Sequence, residues 1–309
     1  MKRQRIAAAL ALPVLALSGC TTATTDTASP TTTQQQAPAI DTARLDQRMA
    51  ALEQQYSAKI GLAVLRPSDR AQYAHRGDER FAHCSTFKVY AVAALLRLVD
   101  AGKASLDTRI LIDPAAVVAD SPVTSKAAGT EMTLSDISVA ALTQSDNTAG
   151  NYLLHAIGGP SAITDFARSV GDTETRGDRF EVELNTAIPD DPRDTSTPIS
   201  LATGFETTIL GNGLPDAERT RLQEWMRQSA TSTARIRAGL PTGWTSADKT
   251  GAGDYGTVND AGVVWNPAGE PLVLAILTRS STDRQDAQRD NKLIADITAA
   301  AVETFDAGR

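Results

Sequence analysis

Cysteine is nearly absent from this sequence, which has only Cys20 and Cys84 among its 309 residues. Cys20 ends a predicted export signal and is expected to be consumed by lipid, so Cys84 has no partner and no disulfide framework can form. Stability must therefore come from a buried apolar core. Hydrophobic residues make up 41% of the chain, and its length fits one large domain or two closely packed ones.

Histidine is also scarce, and His75, His83 and His155 are scattered along the chain. No H-x-H or C-x-x-C spacing is present, which excludes the usual metallohydrolase sites. The G-x-S-x-G turn of many Ser-His-Asp hydrolases is missing as well. We therefore expect no metal and no cofactor.

The chain also lacks an excess of positive charge. The chain has 37 acidic and 30 basic residues, a formal net charge of −7 and a pI of about 5.1. This balance argues against nucleic acid or an anionic surface as a partner. A small anionic substrate would need a local basic site, and we expect a monomer that binds small molecules.

The first 20 residues predict an export signal. A basic start at residues 1–5 precedes an apolar run, 6–17, that is too short to span a bilayer. Leu17-Ser18-Gly19-Cys20 resembles the lipobox of bacterial lipoproteins, in which the cysteine becomes the lipidated N-terminus. The alternative is an ordinary signal peptide with an incidental cysteine. Both place the mature protein outside the cytoplasm, either secreted or periplasmic, or anchored to the outer face of the membrane through Cys20.

Residues 21–40 are rich in Thr, Gln, Ala and Pro and contain almost no large apolar side chain. Such a segment cannot bury enough surface to fold, so it predicts a disordered tether. The folded part is then residues 41–309.

Strand patterns lie near both ends of the folded part and helical patterns lie between them. The predicted strands are 60–66, 70–74, 245–250, 257–265 and 272–278. The distribution predicts an α+β fold in which both chain ends build one antiparallel sheet flanked by terminal helices. About 41–83 and 232–309 would form the α/β part, and about 84–231 an inserted helical part, with a site in the cleft between them.

Ser85 and Lys88 begin an apolar run that ends at Gly102, a pattern typical of a buried helix. A spacing of three residues puts the hydroxyl and the amine on one helix face, one turn apart. In an apolar environment the amine could take the hydroxyl proton and activate Ser85 as a nucleophile. The alternative is that Ser85 is an ordinary helix N-cap. A second S-x-x-K, Ser246 to Lys249, is expected to enter a strand.

Two further tripeptides accompany this pair. Ser145-Asp146-Asn147 precedes a predicted helix, and Lys249-Thr250-Gly251 ends a predicted strand. Each alone could be structural, as a helix cap or a strand end. In this order the three motifs resemble those of serine β-lactamases and penicillin-binding proteins.

The segment 179–195 separates those two groups, because it closely resembles the omega loop of class A β-lactamases. The resemblance covers residues 41–309. It implies an α/β sandwich with a helical domain, and hydrolysis of the β-lactam amide of penicillins and some cephalosporins. It also implies an ion pair between Arg179 and Asp194, and a cis bond after Glu181.

The resemblance assigns a role to each site residue. Those with catalytic roles are Ser85 as nucleophile, Lys88 or Glu181 as acylation base, Glu181 as deacylation base and Ser145 as proton donor to the lactam nitrogen. Those with binding roles are Asn147, Asn185, Lys249, Thr250, Gly251, Ala252 and Arg235. The N–H groups of Ser85 and Ala252 would form the oxyanion hole, and Arg235 would bind the substrate carboxylate.

The sequence departs from the class A pattern at three positions. Val182 stands where the family usually has proline, and Asp120 where an aromatic residue commonly flanks the site. Cys84 is similar to the cysteine of carbapenem-hydrolysing members, but their disulfide partner is replaced by Gly253. The resemblance therefore implies a penicillinase that is not a carbapenemase.

Two alternatives remain open on the sequence alone. One is a D-alanyl-D-alanine peptidase with the same three motifs, which has no need of Glu181 and Asn185. The other is a cell-wall-binding lipoprotein that has lost the chemistry.

Overall fold

The computed structural model describes residues 40–306. The predicted export signal, residues 1–20, and the predicted tether up to residue 39 lie outside the described residues, as do 307–309. Within 40–306, no helix combines the length and the apolar character that crossing a bilayer requires.

The strands of the described residues form one large and two small sheets. They span Ala58–Arg66 (β1), Ala71–His75 (β2), Phe81–Ala82 (β3), Arg109–Leu111 (β4), Glu131–Thr133 (β5), Thr195–Ser196 (β6), Thr245–Ala252 (β7), Val258–Trp265 (β8) and Pro271–Ser280 (β9). The large sheet is antiparallel, with the order β2-β1-β9-β8-β7, and the small ones pair β3 with β6 and β4 with β5. β7 is therefore an edge strand.

Helices cover both faces of the large sheet and fill the middle of the chain. They span Thr42–Tyr56 (α1), Lys88–Asp100 (α2), Leu134–Thr143 (α3), Asn147–Ile157 (α4), Ser161–Ser169 (α5), Pro198–Phe205 (α6), Asp216–Arg227 (α7), Ile236–Gly239 (α8) and Asn291–Asp306 (α9). Short 3₁₀ turns at Cys84–Phe87 and Glu183–Asn185 carry residues of the site.

Alternation along the strands divides the apolar core into two layers. Ile60, Leu62 and Val64 of β1 point to one face and pack with the terminal helices α1 and α9. Ala63 points to the other face and joins the larger cluster formed with the central helices. The second layer supports α2, the helix that follows Ser85.

The predicted five-stranded antiparallel sheet is confirmed. The two ends of the chain meet where β1 pairs with β9, with Leu62 opposite Ile276. β7 continues to Ala252, beyond the predicted end at residue 250. Strand entry at the second S-x-x-K is confirmed, since Ser246 and Lys249 both lie in β7.

Candidate active site

Ser85 lies in the 3₁₀ turn Cys84–Phe87, directly before α2 begins at Lys88. The turn is closed by Thr86, whose backbone N–H and hydroxyl both donate to the carbonyl of His83, at 3.2 and 2.8 Å. His83, and not Ser85, occupies the cap position of the turn. The interpretation of Ser85 as an ordinary helix N-cap is therefore wrong, and its hydroxyl is directed at other side chains.

Lys88 is the most connected group near Ser85. Its ammonium is fully buried and donates to Ser85 Oγ at 2.9 Å, to the Ser145 carbonyl at 2.9 Å and to Asn147 Oδ1 at 2.8 Å. Glu181 Oε1 lies 2.9 Å from the same nitrogen. Four acceptors compete for three ammonium protons, so a proton can be shared between the serine and the carboxylate.

Glu181 completes this arrangement from the omega loop. Its carboxylate is buried, and Oε1 accepts a hydrogen bond from Ser85 Oγ at 3.4 Å. The other oxygen, Oε2, accepts from Asn185 Nδ2. A water molecule between Ser85, Glu181 and Asn185 would therefore meet a carboxylate acceptor and an amide.

The omega loop is closed by an ion pair. Arg179 Nε lies 2.6 Å from Asp194 Oδ2, and Asp194 Oδ1 accepts from the backbone N–H groups of Asp178 and Arg179 at 2.7 and 3.0 Å. The predicted pair is confirmed. The predicted cis bond between Glu181 and Val182 is present as well.

Asn151, on α4, forms two hydrogen bonds with the main chain of Glu181. Its Nδ2 donates to the Glu181 carbonyl at 2.9 Å, and its Oδ1 accepts from the Glu181 N–H at 2.8 Å. Asn151 was not among the residues predicted from the sequence. An asparagine within a helix carries no local signal, and only its position one turn after Asn147 places it on the same helix face.

Asp146 provides the helix cap in the Ser-Asp-Asn triplet. Its Oδ1 accepts from the Ala149 N–H at 2.9 Å at the start of α4, and its Oδ2 accepts from the Thr124 N–H at 2.9 Å. Because Asp146 caps the helix, Ser145 and Asn147 are available to face Lys88 and the cleft.

Ser145 is linked to the edge strand by Lys249, whose Nζ donates to Ser145 Oγ at 2.9 Å and to the Thr250 carbonyl at 2.9 Å. Burial, reinforced by the like charge of Lys88, holds the pKa of Lys249 well below its ordinary value. Lys249 therefore gives up its proton more readily than a surface lysine.

The carboxyl end of β7 forms one wall of the site. Thr250 shares a hydrogen bond of 2.7 Å between hydroxyls with Thr231, a second residue that the sequence analysis missed. Gly251 has no room for a side chain, because a Cβ there would lie 2.9 Å from the His83 carbonyl oxygen. Ala252 ends the strand with its backbone beside the cleft.

Arg235 lies behind this wall. Its Nη1 donates to the carbonyls of Gly251 and Asn259, at 2.7 and 2.8 Å, and its Nε donates to Asn291 Oδ1 at 2.8 Å. Burial lowers the pKa of its guanidinium below the ordinary value. Arg289, which was not predicted from the sequence, is a second arginine on the cleft wall, and its Nε donates to the Gly253 carbonyl at 2.9 Å.

These groups surround a cleft of about 1000 Å³. Its wall contains most of the predicted site residues, namely Ser85, Ser145, Asn147, Asn185, Thr250, Gly251, Ala252 and Arg235. Lys88, Glu181 and Lys249 lie buried behind them and reach them by the hydrogen bonds given above. All eleven predicted residues thus belong to one connected arrangement.

Cys84 is buried and has no disulfide partner among the described residues. A Cβ at Gly253 would lie 2.9 Å from Cys84 Sγ, so glycine at position 253 fits against the cysteine side chain. Burial raises the pKa of the Cys84 thiol well above its ordinary value.

A buried Ser-Lys-Glu arrangement between a five-stranded sheet and a group of helices is the site of a serine hydrolase that acts through an acyl-enzyme. The Beta-lactamase enzyme family matches residues 44–305. The chain therefore belongs to this family.

Individual relatives agree with this assignment. The chain is 44% identical to beta-lactamase CTX-M-25 of Escherichia coli, covering 80% of this chain and 84% of the relative. It is 45% identical to a beta-lactamase of Bacillus amyloliquefaciens, covering 84% and 83%. The structure is similar to that of a beta-lactamase from Desulfarculus baarsii, with a TM-score of 0.84 and 43% identity, over 87% of this chain and all of the other.

The predicted resemblance to class A is also confirmed. A mutant of the last common ancestor of Gram-negative bacteria class A beta-lactamase superposes with a TM-score of 0.81 at 43% identity, over 86% of this chain. These relatives support hydrolysis of β-lactams, with the resistance that it confers. They do not favour the peptidase or the non-catalytic lipoprotein.

Proposed function

We propose that this protein hydrolyses the lactam amide of penicillins, and of some cephalosporins, through an acyl-enzyme on Ser85. The observation that carries the proposal is the position of Lys88 Nζ, 2.9 Å from both Ser85 Oγ and Glu181 Oε1. One buried ammonium thereby joins a nucleophile to a carboxylate that can serve two successive steps.

In the acylation step, Ser85 Oγ attacks the lactam carbonyl carbon and gives up its proton. Lys88 can accept that proton directly once its ammonium has passed one proton to Glu181 Oε1, 2.9 Å away, or Glu181 can accept it through a water molecule. The carbonyl oxygen gains negative charge, which the N–H groups of Ser85 and Ala252 would stabilise. Collapse of the intermediate breaks the carbon–nitrogen bond of the ring.

The ring nitrogen then needs a proton. Ser145 is suited to donate it, because its hydroxyl accepts a hydrogen bond from Lys249 and its carbonyl accepts one from Lys88. A neighbouring ammonium stabilises the alkoxide character that develops on Ser145 Oγ. The product of this step is an ester between Ser85 and the opened lactam.

Deacylation needs a water molecule and a base. Glu181 can take a proton from a water that Asn185 helps to hold, and the resulting hydroxide attacks the ester carbonyl. Ser85 Oγ leaves with a proton, which restores the enzyme. The acyl-enzyme that a penicillin-binding peptidase forms with a β-lactam persists, because that enzyme has no such water-activating carboxylate, so Glu181 distinguishes the two functions.

Arg235, Lys249 and Thr250 would bind the carboxylate that penicillins carry on the five-membered ring. Lys249 and Arg235 provide positive charge at this end of the cleft, and Thr250 provides a hydroxyl. Asn147 would bind the amide of the acylamido side chain. The unpaired Cys84 agrees with a penicillinase that is not a carbapenemase.

Turnover kinetics of the purified chain test the proposal. The protein is mixed separately with a chromogenic cephalosporin and with benzylpenicillin, each substrate in large molar excess over the protein. Multiple turnovers are expected, because Glu181 regenerates Ser85. A single stoichiometric burst followed by a stable adduct would instead identify the peptidase, and the absence of both burst and turnover would identify a non-catalytic protein.

We further propose that the protein works outside the cytoplasm as a monomer, with a lipid on Cys20 as its only membrane attachment. The lipobox-like residues 17–20 support this location.

The α/β part would comprise about 41–83 and 232–309 and the helical part about 84–231. Metabolic labelling with a fatty acid, compared between the chain and Cys20→Ser, tests the lipid, and sedimentation of the soluble chain tests the monomer.

A further inference from the structure

The wall of the cleft carries charged residues of both signs. Arg235 and Arg289 are the basic residues of the wall, and Asp120, Glu183 and Asp254 are the acidic ones. If the proposed function is correct, Arg235 lies at the end that binds the substrate carboxylate. The positions of the three acidic residues then determine which charge the acylamido side chain can carry.

Asp120 lies beside the residue proposed to bind the acylamido group. Its carbonyl accepts from the Asn147 N–H at 3.1 Å, and the Asn147 side-chain amide donates to the neighbouring Ala119 carbonyl at 3.1 Å. The Asp120 side chain is exposed on the cleft wall and has no ion-pair partner within residues 40–306. Its negative charge is therefore uncompensated where the side chain of a substrate would lie.

Glu183, on the omega loop, and Asp254, on the loop that follows β7, also belong to the wall of the cleft. Glu183 is exposed two residues before Asn185 and forms no ion pair with any described residue. The Asp254 N–H donates to the Asn185 carbonyl at 3.0 Å, and its carboxylate accepts from Gln285 Nε2 at 2.9 Å. Asn185 is thus two residues from Glu183 along the chain and hydrogen-bonded to the main chain of Asp254.

Arg289 is the second basic residue on the cleft wall, and it donates to the carbonyl of Gly253, the residue before Asp254. It is within ion-pair distance of no carboxylate in the described part of the chain. Two guanidiniums and three carboxylates belong to the cleft wall, so once Arg235 is paired with the substrate carboxylate the rest of the wall keeps a net negative charge. At a separation of about 6 Å in water, one unit charge on the wall changes the affinity for a substrate with one unit charge by about threefold.

We propose that Asp120 and Glu183 are specificity-determining residues that favour β-lactams with an ammonium on the acylamido side chain and disfavour those with a carboxylate there. The proposal rests on the proposed function, because that function orients the substrate in the cleft. It adds the preferred charge of the substrate side chain, which the motifs alone do not indicate.

The test compares three penicillins that differ at one carbon of the side chain. Ampicillin carries an ammonium, benzylpenicillin carries no charge and carbenicillin carries a carboxylate. kcat/KM is measured for each, in slightly acidic buffer that keeps the amine protonated, with the wild type, Asp120→Asn, Glu183→Gln and the double variant. Matched controls are Asp107→Asn and Glu224→Gln, which remove exposed charges outside the cleft.

We expect the ampicillin-to-carbenicillin ratio of kcat/KM to fall by about threefold to tenfold in each cleft variant and further in the double variant. It should stay unchanged in the controls. In the wild type the ratio should decrease in about 1 M salt, because the Debye length there is only about 3 Å. Benzylpenicillin kinetics report whether each variant remains folded and active.

The outcomes separate this inference from the proposed function. If the wild type turns over benzylpenicillin but the charge ratio is the same in wild type, cleft variants and controls, the electrostatic inference is overturned. A ratio that is insensitive to salt in the wild type also contradicts it. If the wild type does not turn over benzylpenicillin at all, the proposed function itself fails.

Discussion

Lys249 shows how burial prepares one side chain for chemistry. Its ammonium is enclosed beside Lys88, and it donates to the Ser145 hydroxyl. A buried cation near another cation has a lowered pKa, because both desolvation and repulsion favour the neutral amine. An arginine at the same position would keep its positive charge as the pH rises, whereas the lysine would lose its proton.

This difference predicts the alkaline limb of the pH profile. As the pH rises, Lys249 should lose its proton below the ordinary lysine pKa, and kcat/KM for benzylpenicillin should fall with it. In Lys249→Arg the limb should move to higher pH, although the rate at neutral pH drops because the guanidinium fits differently. A limb at the same pH in both proteins would assign the titration to another group.

Asn151 illustrates the limits of inference from sequence at single positions. Ser85, Ser145 and Lys249 lie in short motifs whose spacing implies chemistry, so they could be predicted. Asn151 and Thr231 act through contacts made by the folded chain, and nothing adjacent to them marks those contacts. Arg289 was missed because an isolated arginine in a loop has many possible roles.

The omega loop is the element that positions Glu181. The ion pair between Arg179 and Asp194 closes the loop, and Asn151 attaches the Glu181 main chain to α4. Loss of the Asn151 side chain leaves one N–H and one carbonyl of a buried residue without partners, at a cost of about 1–3 kcal/mol for each group.

We expect Asn151→Ala to slow deacylation more than acylation, because the carboxylate loses its alignment while Ser85 and Lys88 remain in place. The acyl-enzyme should accumulate during turnover, and rapid mixing with a chromogenic cephalosporin should show a burst. Asn151→Asp keeps the acceptor for the Glu181 N–H and should show a smaller burst. Equal slowing of both steps, without accumulation, would show that Asn151 only stabilises the fold.

Strands β7 and β8 carry a second buried feature, a pair of carboxyl groups behind the site. Asp248 and Asp260 lie diagonally across the ladder, and Asp248 Oδ2 and Asp260 Oδ1 have no hydrogen-bond partner in the described structure. Burial, followed by the nearby charge of Asp248, raises the pKa of Asp260 well above its ordinary value. Asp260 therefore holds a proton that it would lose in the unfolded chain.

The sign of the resulting pH dependence follows from that proton. Below the ordinary pKa both states are protonated and Asp260 costs nothing, whereas at higher pH the unfolded state gains stability by losing the proton. Asp260→Asn should therefore be more stable than the wild type at neutral pH, by roughly 1 kcal/mol or more. Urea unfolding should show this advantage vanish in acid. A constant difference at all pH values would contradict the assignment.

Residues 40–306 form two apolar layers, one on each face of the large sheet. The layer under α1 and α9 contains none of the proposed catalytic side chains, whereas the layer under α2 supports Ser85. The sheet could be predicted because its strands show clear alternation and clear turns. The 3₁₀ turn at Cys84–Phe87 could not, because its sequence continues directly into a strong helix pattern.

Ile297 provides a test of this separation. It lies on α9 and is fully buried in the apolar layer under α1 and α9. Ile297→Ala should lower the free energy of unfolding by about 2–5 kcal/mol through the cavity it leaves, while kcat/KM at low temperature stays near that of the wild type. Ile199→Ala, at a partly exposed position, is the control for stability. A large loss of activity in folded Ile297→Ala would show that the layers are coupled.

The central claim is that Glu181 removes the acyl group that Ser85 acquires, and Glu181→Ala tests it most directly. The variant and Glu224→Ala, which removes an exposed glutamate elsewhere, are each mixed with benzylpenicillin, and their masses are recorded over time. The account predicts a long-lived adduct of the penicillin mass on Glu181→Ala and none that persists on Glu224→Ala. An unmodified Glu181→Ala protein, or an adduct lost as fast as in the wild type, would contradict it.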